Sequence, residues 1–131
     1  MEHRILLNSL NKTAYSRADV VEYFCEFEGL FDAERVLLTK LTPTIKGSKI
    51  LDLGVGGGRT TRHLLQISED YTGVDYVPQF AKETAEKFPK AKIFCGDARD
   101  LNELADNTFD FVLFSFNGLD CISNYDRQFA L

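Results

Sequence analysis

Hydrophobic positions in the first 47 residues recur at helical spacing. A first helix, with Asp19 as its candidate N-cap, is predicted from the apolar positions Val20, Val21, Phe24 and Phe27. Gly29 interrupts this pattern, and residues 30–41 predict a second helix that Pro43 and Gly47 would close. We interpret residues 1–47 as an N-terminal helical cap. The pattern leaves open whether the cap only covers a sheet or also forms a lid over a ligand.

From Lys49 onward the pattern changes to alternating strands and helices. Strands are predicted at residues 49–53, 71–75, 92–95 and 109–116, with helices at 60–67 and 78–88. The last strand is apolar at nearly every position, which is typical of burial on both faces of a parallel sheet. The alternation predicts an α/β fold over residues 48–131, with a doubly wound, mainly parallel, Rossmann-like sheet. Ligands of such folds bind beyond the carboxyl ends of the strands.

Composition narrows the class of protein without naming a function. The chain has 131 residues, 44% of them hydrophobic and 27% charged, which indicates one globular domain rather than a disordered segment. A net charge of −5 with no basic stripe argues against a nucleic-acid partner. Three scattered cysteines without a CxxC spacing indicate neither a metal site nor a disulfide framework, so we expect a reduced, cytoplasmic setting. No apolar stretch is long enough to cross a membrane.

A glycine-rich turn joins the first predicted strand to the helix that follows it. Dinucleotide-binding proteins use GxGxxG at this place, but here the final glycine is replaced by Arg59 or, counted from Gly56, by Thr61. This disfavours a nicotinamide-dependent oxidoreductase. Asp52, just before the turn, would suit an ammonium group better than a pyrophosphate, and the start of a helix attracts a carboxylate. The expected ligand therefore carries both groups, as an amino acid does.

The segment Asp52-x-Gly54-x-Gly56-x-Gly58 resembles the first motif of class I S-adenosylmethionine (AdoMet)-dependent methyltransferases. An acid about 20 residues beyond such a turn accepts hydrogen bonds from ribose hydroxyls, and Asp75 has that position. The resemblance covers about residues 50–120 and implies AdoMet as the cofactor. The residues that it implies for cofactor binding, besides those of the first motif, are Asp75, Tyr76, Asp97, Ala98, Ser115 and Phe116.

Other residues are candidates for contacts at the ends of the cofactor. Arg59 opens the helix after the turn, where it could bind the AdoMet carboxylate, and Tyr15 could close over the ligand from the cap. The fourth strand is followed by Asn117-Gly118-Leu119-Asp120, in place of the (D/N/S)PP(Y/F/W) motif of family members that methylate amino nitrogens of nucleobases or glutamine. Asn117 and Asp120 either contact an acceptor or only shape this loop. No catalytic base is identifiable.

The implied function is transfer of the AdoMet methyl group to an unidentified small-molecule acceptor. A non-catalytic AdoMet-binding module or partner subunit is the alternative, since intact cofactor residues without an acceptor pocket would look the same. The family's sheet has seven strands and only four are predicted here, so we expect an incomplete domain. Either the chain is a fragment of a longer product, or its edge strand at residues 109–116 is covered by a second copy or another chain.

Overall fold

The computed structural model describes residues 2–116 and 118–122. Its cap contains three helices, α1 (Glu2–Tyr15), α2 (Ala18–Glu26) and α3 (Asp32–Ile45). The remaining elements are β1 (Ile50–Leu53), α4 (Arg59–Ile67), β2 (Tyr71–Asp75), α5 (Pro78–Lys87), β3 (Lys92–Cys95), β4 (Phe111–Phe114) and a short 3-10 helix (Leu119–Cys121). No described helix has the length and apolar character needed to span a membrane.

The four described strands form one parallel sheet in the order β3-β2-β1-β4. At its carboxyl edge Leu53 pairs with Val74 on one side and with Phe114 on the other. Asp75, the last residue of β2, pairs with Cys95. The sequence order reverses between β1 and β4, so a crevice opens at this edge where ligands of doubly wound folds bind. The predicted α/β architecture is confirmed.

Side chains of successive strand residues alternate between two apolar layers, as the pleat of a strand requires. On one face Ile50 and Tyr71 pack with Leu64 of α4 and Leu38 of α3. On the other face Leu51, Leu53 and Val74 pack with residues of the segment that links β3 to β4. Because Leu38 is buried against the sheet, α3 is a covering helix, whereas α1 and α2 contact the ligand-binding edge as described below.

Strand β4 departs from the prediction in length and in burial. It comprises only Phe111–Phe114, and its side chains are half-buried or exposed, with Val112 51% exposed. The expectation of burial on both faces is wrong for these residues because β4 pairs only with β1 in the described sheet. Asp110, predicted inside the strand, instead accepts a hydrogen bond from the Lys49 backbone N–H at 2.9 Å. The predicted edge position is confirmed.

Two predicted helix boundaries are also corrected. The N-cap of α2 is Arg17 rather than Asp19, whose carboxylate instead accepts two hydrogen bonds from the Arg17 guanidinium. Helix α3 continues through Pro43 to Ile45, although proline lacks the N–H that an inner turn uses. Ile45 is only 5% exposed, so its burial favours the extra turn despite the missing hydrogen bond.

Candidate functional site

A cavity lies at the carboxyl edge of the sheet, beside the glycine-rich turn. It holds about 860 Å³ of empty space, part of it open to solvent. Its wall is formed by Asn8, Tyr15, Phe24, Leu53, Gly54, Gly56, Val74, Asp75, Tyr76, Phe80, Gly96, Asp97, Ala98, Arg99, Phe114, Ser115, Phe116, Gly118, Cys121 and Ile122. The wall is largely apolar, with polar groups at a few points.

The glycine turn brings backbone rather than side chains to the cavity. Gly54, Gly56 and Gly58 have φ values of 71°, 53° and 88°, a region that favours glycine. A Cβ on Gly58 would lie 2.6 Å from the Phe88 ring, so this glycine is required by packing and does not line the cavity. A Cβ on Gly56 would meet nothing within 4 Å. Gly56 therefore leaves free space where a ligand can approach the main chain.

Asp75 closes the end of β2 with a carboxylate that lines the cavity and is only 4% exposed. One of its oxygens accepts a hydrogen bond from Gly56 N and the other from Val77 N, both at 2.9 Å. Burial raises the pKa of Asp75, and the two backbone hydrogen bonds partly offset this effect. A carboxylate accepts about four hydrogen bonds, so two acceptor directions remain for ligand hydroxyls.

The third strand contributes a second carboxylate and a short backbone segment. Asp97 and Ala98 follow β3 directly and line the cavity. The Arg99 guanidinium pairs with Asp97 and holds the pKa of this carboxyl below its ordinary value. Tyr76 lines the cavity too, and its hydroxyl is buried without a hydrogen-bond partner among the described residues. A buried unsatisfied hydroxyl costs free energy, so Tyr76 offers a free polar contact.

Asp52 lies behind the cavity wall rather than in it, and its contact with a ligand ammonium stays a prediction. It is 1% exposed, and its Oδ2 accepts hydrogen bonds from Thr60 Oγ1 and Tyr71 Oη at 2.8 Å. Burial raises the pKa of Asp52 to about 6, while the same two hydrogen bonds act in the opposite direction. In this structure Asp52 ties β1 to the start of α4 and to β2.

Arg59 also lies outside the cavity wall, and its contact with the cofactor carboxylate stays a prediction. Its guanidinium forms an ion pair with Glu34 of α3, and both side chains are nearly buried. The Arg59 charge is therefore already neutralised by a protein carboxylate. Nothing in the sequence pattern pairs these two residues, because they are separated along the chain and only the packing of the cap brings them together.

The tentative acceptor residues are divided by the structure. Tyr15 lines the cavity. The cofactor candidates Ser115 and Phe116 line it too, and Phe116 has a φ of 52°, which is unusual for a bulky residue. Asp120 lies in the 3-10 helix and does not contribute to the wall. Asn117 is outside the described residues. The cap thus contributes side chains to the ligand-binding edge.

Sequence reasoning missed the apolar part of the wall and one packing glycine. Phe24 of α2 and Phe80 of α5 lie in predicted helices and were not singled out as cavity residues, yet both line the cavity. Gly57 was not singled out, yet a Cβ there would lie 2.1 Å from the Phe24 carbonyl oxygen. The run of three consecutive glycines was the sequence feature that could have indicated this close packing. Within residues 2–116 and 118–122, no cluster of histidine, cysteine or acidic side chains could hold a metal ion.

Comparison with known proteins places the chain in a family. The profile of the family described as "Methyltransferase domain" matches residues 50–131. One similar structure is that of SAM-bound CalS10, an amino pentose methyltransferase from Micromonospora echinaspora, with 16% identity and a TM-score of 0.68. A second is a TehB-like SAM-dependent methyltransferase from Corynebacterium glutamicum, with 27% identity and a TM-score of 0.59. A third is a SAM-dependent methyltransferase from Aquifex aeolicus, with 22% identity and a TM-score of 0.61. A search of curated protein sequences gave no match.

The three structures cover most of this chain, but the chain covers less of them. They cover 87%, 75% and 89% of its length, whereas it spans 48%, 60% and 61% of theirs. At these identities the likeness is mainly one of fold, and the match to the family profile extends over more than half of the chain. The cavity also lies where class I methyltransferase motifs predict it. The chain therefore belongs to the methyltransferase domain family and has the Rossmann-like fold of its SAM-dependent members.

Proposed function

We propose that this protein binds AdoMet in the cavity at the carboxyl edge of the sheet and transfers its methyl group to a small-molecule acceptor. The observation that carries the proposal is the meeting of three chain segments at one cavity. Asp75 after β2, Asp97 after β3 and the glycine turn after β1 all contribute to its wall. Because the three strands lie side by side in one parallel sheet, each segment would contact a different part of one elongated ligand.

The wall fits the parts of AdoMet by chemical type. The two remaining acceptor directions of Asp75 suit the two ribose hydroxyls. Asp97 would accept from the adenine amino group, and the Ala98 backbone N–H would donate to the ring. Apolar side chains on several elements suit the faces of adenine, and Gly56 leaves room for the amino-acid portion. The buried Tyr76 hydroxyl adds an unused polar contact.

Bound AdoMet would supply a methyl group on a sulfonium, which is already an activated leaving group. Transfer forms one bond from the acceptor's lone pair to the methyl carbon and breaks the carbon–sulfur bond, which leaves S-adenosylhomocysteine, while any acceptor proton passes to a base or to solvent. The protein's task is then alignment and exclusion of water. Correct positioning can lower the activation barrier by up to about 7–11 kcal/mol.

The residues at the acceptor side act by shape and hydrogen bonding rather than as bases. Burial raises the pKa of both Tyr15 and Tyr76, so each hydroxyl remains protonated at neutral pH. Both would therefore donate hydrogen bonds. The cap contributes Asn8, Tyr15 and Phe24 to the wall, which narrows the opening and favours a small acceptor over a macromolecule.

Methyl transfer is tested with AdoMet that carries a labelled methyl group. The full chain is incubated with panels of small oxygen, nitrogen, carbon and sulfur nucleophiles, and with a nucleic acid as the contrasting macromolecule. Label transferred to a small acceptor supports the proposal. Tight AdoMet binding without transfer to any member of the panels would favour the non-catalytic binding module instead.

A further inference from the structure

We infer that Glu34 and Arg59 are positioning residues that act through Ser115 and Phe116, and that Arg59 is not a ligand of the cofactor carboxylate. The inference rests on the proposed function, because its effect is expressed at the AdoMet cavity. It starts from an ion pair that joins the helical cap to the first residue of α4. Neither member of the pair lines the cavity.

Glu34 collects hydrogen bonds from three separate parts of the chain. Arg59 donates from both terminal nitrogens, one of them at 2.8 Å to Oε1. Ser115 Oγ, just after β4, donates to the same Oε1. The Phe31 backbone N–H at the start of α3 donates to Oε2 at 2.8 Å. One carboxylate therefore fixes the cap, the glycine-turn helix and the end of β4 relative to one another.

The pair is shielded well enough to hold these elements in place. The Arg59 and Glu34 side chains are 10% and 14% exposed. Burial alone would raise the pKa of Glu34, but the hydrogen bonds from Arg59 and Ser115 outweigh it and hold this pKa below its ordinary value. Loss of one partner would leave a nearly buried charge without compensation, which is costlier than loss of both. The Arg35 and Asp32 side chains, which pair on the same helix, are 64% and 92% exposed, so loss of one of them leaves no buried charge.

Aromatic rings transmit this arrangement to the cavity. The Arg59 guanidinium lies 4.7 Å from the Phe31 ring centroid and 5.7 Å from that of Phe116. Phe31 and Phe116 are stacked with an interplanar angle of 10°, and Phe24 meets Phe116 edge-on. Phe116 has a positive φ, and such backbone strain persists only where surrounding contacts determine it. Since Ser115 and Phe116 line the cavity, loss of the ion pair would displace its wall.

The alternative is the direct contact between Arg59 and the cofactor carboxylate that the sequence predicts. The two roles are distinguished with two ligands, S-adenosylhomocysteine and 5′-methylthioadenosine, since the latter lacks the amino-acid portion. Dissociation constants are measured by calorimetry for the full chain and for Arg59→Met, Glu34→Gln and the double variant. Arg35→Met is the matched control, and thermal unfolding verifies that each variant is folded at the assay temperature.

A positioning role predicts that either single change weakens both ligands equally, by about two- to thirtyfold. The double variant is then no weaker than the weaker single variant, and Arg35→Met binds as the unchanged chain does. Selective loss of S-adenosylhomocysteine affinity in Arg59→Met, with Glu34→Gln unaffected or tighter, would overturn the inference in favour of direct contact. Additive effects or unchanged constants in both single variants would overturn it as well. Failure of the unchanged chain to bind either ligand would refute the proposed function itself and the inference with it.

Discussion

Substitution of Asp75 by asparagine tests the assignment of the ribose-binding carboxylate. The side chain keeps its size but loses its charge, and its amide N–H₂ must face either the Gly56 N–H or the Val77 N–H, both of which now donate to Asp75. One hydrogen bond inside the wall is therefore lost, and the side-chain amide faces a backbone N–H that is also a donor. The change removes acceptor capacity for the ligand and disturbs the glycine turn at the same time.

The expected effects on binding and stability are separable. Loss of charge-assisted hydrogen bonds to the ribose hydroxyls weakens S-adenosylhomocysteine binding by about 1.5–3 kcal/mol, or roughly ten- to a hundredfold. The unsatisfied buried donor lowers the free energy of unfolding by about 1–3 kcal/mol. The effect on stability follows from the 4% exposure of Asp75 and from its two backbone hydrogen bonds.

Calorimetry with a pair of ligands gives the decisive assay. The full chain should bind S-adenosylhomocysteine much more tightly than the analogue that lacks both ribose hydroxyls, and Asp75→Asn should abolish most of this difference. Asp70→Asn, an exposed acid just before the start of the same strand, is the control and should change neither constant. If Asp75→Asn loses affinity equally for both ligands, the carboxylate does not bind the ribose. An unchanged dissociation constant would remove Asp75 from the site.

Three further predictions concern other parts of the molecule. The pKa of Asp52 is about 6 in the folded chain, above its unfolded value of 3.8, so its contribution to stability is lost as pH rises through this window. Relative to the unchanged chain, the free energy of unfolding of Asp52→Asn in urea should therefore rise by up to roughly 3 kcal/mol between pH 4 and pH 7. A difference that does not depend on pH would contradict this. Gly57→Ala should lower the free energy of unfolding by about 1–3 kcal/mol or more because its Cβ meets backbone of α2, whereas Gly56→Ala should cost only about 1 kcal/mol of strain; equal losses would refute the packing argument. The β4 edge, with Val112 exposed, should pair with a second copy or another chain, and sedimentation that finds only a soluble monomer with full activity would refute this.

Local patterns predicted the sheet well because short, largely apolar strands alternate with helices along the chain. The predicted limits of β2 and β3 match the structure, and Asp75 and Asp97 lie at the cavity as their places after strands predict. Strand β4 was predicted too long, because the apolar run at residues 109–116 includes positions that contact the cap or the loop rather than a neighbouring strand. Hydrophobicity alone does not distinguish a residue buried in a strand from one buried against the cap or a loop.

The polar partners of the glycine turn could not be predicted from local sequence. Asp52 and Arg59 were assigned to the ligand because a free acid and a free base beside a ligand-binding turn favour its ammonium and carboxylate. In the structure Asp52 Oδ2 accepts hydrogen bonds from Thr60 and Tyr71, and Arg59 forms an ion pair with Glu34. The contacts of Asp52 depend on how α4 and β2 pack beside β1, and that of Arg59 depends on how the cap packs against α4. Spacing along the chain carries no information about that packing.

Calorimetric titration of the full chain with AdoMet, S-adenosylhomocysteine and NAD tests the central claim most directly. The glycine turn lacks the dinucleotide pattern at Arg59 and Thr61, and the cavity joins that turn to the carboxylates of Asp75 and Asp97. We predict saturable binding of AdoMet and of its demethylated product at one site per chain, with no measurable heat from NAD. Tight binding of NAD without binding of AdoMet would contradict the account.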